Sequence, residues 1–447
     1  LSFFEKAAYG CGDLASNFYW QMFAIFIAKY YTDVFQLGAV AMGTMLLVTR
    51  IGDAFVDPII GASADRTRTR WGSFRPYLLF MALPLAVTAV ATFTVPQWSG
   101  GAKLLYAYVT LGLMMIAYSA INIPYSALLG VLTSDSTDRT SALAFRFVMA
   151  MLPIFIIVNA TIPLAKYFGG SENSPLGWQA AMAVYAAVAV ILFVLAFAYT
   201  RERVKSLSNV PMNLGNDIKD LVNNRPWKVL CVVGVVALTF GNLRAAVSIF
   251  YFENVMPAGR DLFGPFMTSA AVAFMVGVMI ASPLSRRFGK KNLYLASTVA
   301  TVLATAAFYF VPPDNVPMVW FANTLVSLVV APTAPLIWAM YADTADYSAW
   351  KNGRRATGLV FSAASFSQKL GWALGGAGVG WLLGFFHYQP GTVPSQATLH
   401  GIVLMMSLIP AAVMAVAGLA LLFYPLNENL VKHVAAELHS DQETSPS

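Results

Sequence analysis

Apolar residues in this chain come in long blocks, unlike the alternating runs of a sheet or the one-sided stripes of a surface helix. The blocks fall near 9–31, 38–64, 76–96, 104–133, 140–167, 177–200, 227–253, 262–285, 291–311, 317–346, 356–386 and 397–424. A bilayer-crossing helix needs about 20 apolar residues, so the pattern predicts twelve membrane spans with short connections. Several blocks contain proline or glycine, at Pro84, Pro153, Pro332, Pro335, Gly371, Gly375 and Gly376. Such residues are tolerated in spans and mark bends beside cavities.

The charges between the blocks orient them. With the amino terminus inside, one side carries Arg66, Arg68, Arg70, Arg75, Arg139, Arg201, Arg203, Lys205, Lys219, Arg225, Arg286, Arg287, Lys290, Lys291, Lys351, Arg354 and Arg355. The opposite side carries Lys29, Lys103, Lys166 and Arg260. By the positive-inside rule both termini are expected in the cytoplasm. The first block contains Asp13 and Asn17 and is too long for a cleavable leader.

The longest connection divides the spans six and six. The expected organisation is an amino-terminal six-helix bundle at 1–200, a cytoplasmic middle loop at 201–226, a second six-helix bundle at 227–424 and a cytoplasmic tail at 425–447. In the middle loop Leu214, Ile218, Leu221 and Val222 recur at helical spacing, which predicts a short amphipathic helix tethering the halves. Glycine-containing basic loops follow the second span (Arg66 to Gly72) and the eighth (Arg286 to Lys291). Their matching positions suggest an internal repeat of six spans.

Composition narrows the class. The chain is 58 % hydrophobic and 11 % charged, whereas a soluble domain has about 25 % charged residues. Its formal charge of +7 orients loops and does not imply a nucleic-acid partner. Cys11 and Cys231 both fall inside spans and read as small apolar packers. There is no phosphate-binding Gly-x-x-x-x-Gly-Lys-Ser/Thr loop, no nucleophile–base pair and no metal-ligand spacing of histidines within a span. Neither an enzyme nor a cofactor is expected.

Charges inside the spans carry the chemistry. Arg50, Asp53 and Asp57 lie at i, i+3 and i+7, within about a 60° arc of one helix. A charge at the bilayer centre costs roughly 2.5–3.5 kcal/mol even on a lenient scale, so this stripe must face a bundle interior or a wet cavity. One arginine does not neutralise two carboxylates. The stripe is read as a cation or substrate path, against the alternative of an ion pair that only locks helices together.

Tyr9, Asp13, Asn17 and Gln21 recur at four-residue steps in the first span, with Trp20 beside them. An aromatic ring next to carboxylate and amide suits a sugar, whose C–H face stacks while its hydroxyls hydrogen-bond; the alternative is polar glue between helices. In the fourth span Ser119, Asn122 and Ser126 share a face. Their oxygens suit Na⁺ together with Asp53 and Asp57, or serve helix packing around Pro124. Arg146 in the fifth span either snorkels to the cytoplasmic side or anchors a sugar hydroxyl or an acid such as Asp13. Arg244 in the seventh either meets a substrate carboxylate or pairs with Glu253 or another acid. Lys369, followed by Trp372, lies in the eleventh span; an ammonium near Asp53 and Asp57 would balance charge and compete with a bound cation. Asp343 and Asp346 close the tenth span and face Arg354 and Arg355 as a gate or loop clamp.

These pieces resemble the glycoside–pentoside–hexuronide:cation symporter family, of which melibiose permease is a member. The resemblance runs over nearly the whole chain. It is carried by Tyr9-Gly-Cys-Gly-Asp-Leu, Tyr30-Tyr-Thr-Asp-Val, Arg50-Ile-Gly-Asp-Ala-Phe-Val-Asp-Pro, Asp65-Arg-Thr-Arg-Thr-Arg-Trp-Gly-Ser-Phe-Arg-Pro, Asn122-Ile-Pro-Tyr and Ala342-Asp-Thr-Ala-Asp-Tyr. It implies an all-α membrane protein with the major-facilitator fold, in which two six-helix bundles enclose a cavity open alternately to each side. It implies that Asp53 and Asp57 are cation-site carboxylates, that Ser119 is a cation-site hydroxyl and that Lys369 is the lysine approaching them. Asn17, Arg146, Asn122 and Ser126 match further site positions. Melibiose permease has acids at the positions of Asn17 and Asn122 and a tryptophan at that of Ser126, so galactoside recognition does not carry over.

The expected function is alternating-access symport of a sugar or glycoside with H⁺ or Na⁺. The expected cation and coupling residues are Asp53, Asp57, Ser119, Asn122 and Lys369. Asp13, Asn17, Trp20, Asn122, Ser126, Arg146, Arg244, Lys369 and Trp372 are the substrate candidates, and Arg50, Asp343, Asp346, Arg354 and Arg355 the structural or gating ones. The alternatives are transport of a lipid-like amphiphile and a non-transporting sugar sensor. The expected partners are a small sugar, the coupling cation and membrane lipids, with a monomer in a bacterial inner membrane.

Overall fold

The computed structural model describes residues 1–133, 136–203, 224–256, 260–352, 357–431, 433–434 and 437. Their regular structure is helical, apart from one bridge between Thr69 and Gly72. The helices in chain order are α1 (Phe3–Gln21), α2 (Ala39–Arg66), α3 (Arg75–Phe80), α4 (Ala82–Thr92), α5 (Gly100–Leu132), α6 (Ser136–Gly169) and α7 (Pro175–Tyr199). They continue as α8 (Arg225–Asn254), α9 (Phe263–Phe288), α10 (Lys290–Ala307), α11 (Val316–Val330), α12 (Thr333–Asn352), α13 (Thr357–Phe385), α14 (Gln396–Met406) and α15 (Leu408–Leu422).

Among the described residues ten segments are long and apolar enough to cross a membrane. The other two expected spans are helical as well. One is α13; the other is α1, which runs on to Val34 through π-type turns at Met22–Phe26 and Tyr30–Val34. The polar stripe of α1 is what lowers its hydropathy. Among the described residues the protein is thus an all-α, multi-pass membrane protein.

Proline explains the broken spans. Between α3 and α4 the break is at Met81, three residues before Pro84; between α14 and α15 it is at Ser407, three before Pro410. Proline has no N–H and its ring crowds the carbonyl four residues back, so the preceding turn opens. The α11–α12 break falls at Ala331 and Pro332. By contrast α6 passes unbroken through Pro153, and α13 through Gly371, Gly375 and Gly376. Neither helix is therefore interrupted at those positions. Gly371 and Gly375 instead let α13 approach the α8 backbone, where Thr239 Oγ donates to the Gly371 carbonyl at 3.1 Å.

Contacts divide the chain into two units. The first comprises Leu1–Val210, Asp261–Thr268 and Val379–Pro394; the second comprises Pro211–Arg260, Ser269–Gly378 and Ser395–Ser447. The amphipathic helix expected at Leu214–Val222 lies outside the described residues, as do Arg354 and Arg355.

Lipid is as apolar as leucine, so helices in a membrane associate through close packing and internal polar contacts. In the first unit the packing is aromatic. Tyr30, Phe93 and Trp178 are fully buried, with the Tyr30 and Phe93 rings 4.7 Å apart. Lys29 sits beside them, 1 % exposed, paired with Asp33 at 3.1 Å; it belongs to the packed interior and not to an outer loop. The core of the second unit mixes aliphatic residues such as Leu230, Val233, Val326 and Met414 with Phe240, Tyr294 and Tyr341.

The two units repeat one device. In the first, Glu202, just after the sixth span, accepts the backbone N–H groups of Ser73, Phe74 and Arg75 at 2.9, 2.7 and 2.9 Å. In the second, Glu428, just after the last span, lies 3.5 Å from the backbone N–H of Lys290. Each carboxylate meets the unpaired N–H groups that open a helix, beside a glycine with positive φ, Gly72 or Gly289.

Candidate functional site

The candidate residues of the first unit lie on four helices. From α2, Asp53 is 4 % exposed and accepts a hydrogen bond from Ser119 Oγ of α5 at 2.8 Å. Both groups are among those expected at the cation site. Asp57 stands one turn further along α2 and is half-buried. Asn122 Nδ2 donates to the Tyr118 carbonyl of its own helix at 3.1 Å.

Arg50 is 3 % exposed, with Nη1 4.0 Å from Asp53 Oδ2. Aromatic faces complete its surroundings. The guanidinium carbon is 4.7 Å from the Trp20 ring centroid and 4.1 Å from that of Phe23. Guanidinium over an aromatic face is attractive, and more so without water. Phe23 reaches this place from the π turn at Met22–Phe26, and π turns of this kind recur at functional sites. Trp20 also lies 6.1 Å from the Tyr118 ring, so it links the Arg50 stripe to α5.

The second cluster centres on Arg146 of α6. Its Nε forms a short charged hydrogen bond with the Asp13 carboxylate. Nη1 donates to Tyr9 Oη and Nη2 to Ser126 Oγ, each at 3.4 Å. Of the two readings of Arg146, the geometry has the acid as its partner. Asp13 is 8 % exposed, and Ser126 is exposed. Asn17 folds its amide onto the Asp13 carbonyl at 2.9 Å and is half-buried. A guanidinium, a carboxylate, a hydroxyl and an amide therefore converge where α1, α5 and α6 meet, with donors and acceptors suited to neighbouring hydroxyls of one ligand.

Tyr9 and Tyr125 belong to this cluster, although neither is among the site residues expected from the sequence. Tyr125 directly precedes Ser126, and Tyr9 opens the polar stripe of α1. The available signal was the glycine pair Gly10 and Gly12, which marks close approach to α1.

In the second unit Lys369 and Trp372 are half-buried on α13, and the Trp372 carbonyl accepts from Asn242 Nδ2 at 2.9 Å. Arg244 is 7 % exposed. Its Nε donates to the Met406 carbonyl at 3.2 Å, its Nη2 to Asn323 Oδ1 at 3.1 Å, and its guanidinium lies 5.3 Å from the Phe308 ring centroid. Among the described residues its partners are neutral, and Glu253 is not one of them. Asp343 pairs with Lys290 Nζ at 2.6 Å, so its partner is a residue of the basic loop after the eighth span. Asp343 and Asp346 line a small pocket with Tyr347, Leu426 and Leu430.

A multi-pass helical fold with charged clusters inside it is an architecture that membrane transporters use. Residues 8–428 match the family described as MFS/sugar transport protein, and the chain belongs to that family, as its motifs implied. It is a transporter and not an enzyme. It is 33 % identical over 439 residues to the putative glycoside/cation symporter YagG of Escherichia coli (strain K12), covering 98 % of this chain and 95 % of that protein. It is 33 % identical over 427 residues to the isoprimeverose transporter of Lactiplantibacillus pentosus, covering 95 % and 89 %. Among solved structures, that of the nucleoside transporter NupG has a TM-score of 0.68 at 15 % identity, covering 95 % of this chain and 100 % of that one. That likeness concerns the fold alone.

Proposed function

We propose that the protein is a bacterial inner-membrane symporter that moves a sugar or glycoside together with Na⁺ or H⁺ by alternating access, with both termini cytoplasmic. The family and the names of its relatives support the class. The observation that carries the coupling mechanism is the Asp53 carboxylate, 4 % exposed inside an apolar helix with Ser119 Oγ 2.8 Å away. Burying a carboxylate is costly unless a positive charge accompanies it, and the single Arg50 guanidinium beside Asp53 does not neutralise Asp57 as well.

A cation bound at Asp53 and Asp57 lowers that cost and favours the conformation that binds sugar. Each ligand then raises the other's affinity by the same factor. Arg146 and Asp13 hold sugar hydroxyls, with Asn17, Asn122 and Ser126 around them and Trp20 as a stacking face. Arg50 keeps the α2 stripe in place, and Asp343 and Asp346 act at the cytoplasmic gate.

The test is uptake into proteoliposomes under an imposed Na⁺ or proton gradient, using methyl α-D-glucoside, methyl β-D-xyloside and phenyl β-D-glucuronide. Asp57→Asn abolishes gradient-driven accumulation on this reading. Accumulation by Asp57→Asn at the native level would show that the coupling site lies elsewhere. Binding without solute counterflow would remove the transport mechanism altogether.

A further inference from the structure

The Tyr9-Gly-Cys-Gly-Asp segment of α1 is not used by the transport reading beyond Asp13, yet it is the most closely fitted part of the site. Tyr9 and Tyr125 are both fully buried and clasp each other across α1 and α5. Tyr125 Oη donates to the Tyr9 carbonyl at 2.6 Å, Tyr9 Oη reaches the Tyr125 carbonyl at 3.5 Å, and their rings stack at 4.8 Å.

Two features link this clasp to the Arg146–Asp13 pair. First, in a helix the carbonyl of residue 9 is the acceptor for the N–H of residue 13, so the Tyr125 hydroxyl docks on the backbone turn that carries Asp13. Second, the guanidinium carbon of Arg146 lies 4.9 Å from the Tyr125 ring centroid. One side chain thus contacts the backbone turn of the acid and the face of the base.

The glycines make this possible. A Cβ at Gly12 would overlap the Tyr125 ring, and one at Gly10 would stand 2.9 Å from Met149 Cγ and 3.2 Å from the Phe145 carbonyl oxygen on α6. Glycine at 12 admits the ring that supports Arg146. Glycine at 10 admits the α6 turn from which Arg146 projects. The alternation of glycines around Cys11 therefore serves two different neighbours.

We propose that Tyr125 is a positioning residue for sugar binding: its ring and hydroxyl set the geometry of the Arg146–Asp13 pair that receives the substrate. This rests on the reading of that pair as the sugar-binding centre. Tyr125 touches no substrate atom itself. Its effect passes through the orientation of Arg146, where misplacement by a fraction of an ångström weakens a charged hydrogen bond.

The experiment measures KM and Vmax for methyl β-D-xyloside, methyl α-D-glucoside and phenyl β-D-glucuronide in proteoliposomes, with melting temperature as control. The variants are Tyr125→Phe, Tyr125→Leu and Arg146→Lys. Tyr125→Phe keeps the ring and loses the hydroxyl, and KM rises about tenfold while Vmax holds. Tyr125→Leu loses the face as well, and KM rises about a hundredfold or more. Native KM in Tyr125→Leu overturns the proposal. So does a parallel fall of Vmax and melting temperature in Tyr125→Phe without a KM change, which is the mark of a purely structural clasp. Arg146→Lys separates the two levels. If it transports with native KM, the reading of the pair as the sugar centre fails; if it is impaired while Tyr125→Leu is not, only the positioning role fails.

Discussion

Arg146 and Arg244 are both arginines held inside membrane spans, one in each unit, and their surroundings differ in kind. Arg146 meets a carboxylate, Asp13, and two hydroxyls, one of them on exposed Ser126. Arg244 meets a backbone carbonyl, an amide oxygen and an aromatic face. Pro410 accounts for the second environment. The Met406 carbonyl would accept the N–H of residue 410 in a continuous helix, and proline has none to give. Arg244 supplies the missing donor at the break between α14 and α15. Charge alone does not distinguish the two arginines; their exposure and what surrounds each guanidinium do.

The largest effect expected from this comparison is at Arg146. Arg146→Ala strands Asp13; for this part-buried pair the cost falls below the roughly 3–5 kcal/mol of a fully buried one. Uptake falls about a hundredfold or more, for a loss of roughly 2.7 kcal/mol of binding or more. Removing Asp13 as well, in Arg146→Ala/Asp13→Ala, restores much of the melting temperature and none of the uptake. Recovery of uptake in the double variant would make the pair a structural lock like Arg244.

A smaller effect is expected in the second unit. Arg244→Ala leaves the Met406 carbonyl and the Asn323 amide without their donor, a loss of about 2 kcal/mol, and thermal unfolding in detergent reports it more strongly than KM does. Pro410→Ala restores an N–H for Met406, so Arg244→Ala costs about 1 kcal/mol less in that background. Strict additivity of the two changes would remove the helix-break explanation, and a tenfold rise in KM for Arg244→Ala would place the arginine at the ligand.

The smallest effect belongs to the same chemistry outside the spans. Lys6 Nζ lies 2.8 Å from Asp138, and its hydrogen bond holds the Asp138 carboxyl below the usual carboxylate range. With the folded-state value depressed, the stabilisation is present above the unfolded value of about 3.9 and is lost as pH falls through the folded value. Asp138→Asn therefore lowers the melting temperature slightly at neutral pH, and the difference vanishes in acid. A difference that grew in acid would reverse the sign of this interaction.

The spans and the candidate stripes were legible because a helix repeats every 3.6 residues and a bilayer has a fixed thickness. Asp53 and Ser119 were each legible as polar members of their own stripes, and the structure brings them together. The neutral setting of Arg244 was not legible, since it depends on a proline 166 positions away in sequence that frees one particular carbonyl. Lys29 looked like an outer-loop cation because charge count and position reveal nothing about the Asp33 beside it or the aromatic packing around it. The π turn that brings Phe23 over Arg50 was also invisible, because one extra residue in a turn leaves hydropathy unchanged and moves every later side chain around the axis.

By itself, the order of residues determined the membrane class, the twelve apolar blocks, the side of the membrane each loop is expected to face, and the motifs that mark the family. Those properties are local or additive along the chain: length, hydropathy, charge and short spacing. The tertiary structure decided which acid meets Arg146, which carbonyl needs Arg244, which backbone amides Glu202 gathers and why glycines flank Cys11. Each of those is a choice among partners far apart in sequence, settled by the close approach of helices whose apolar faces look alike one residue at a time.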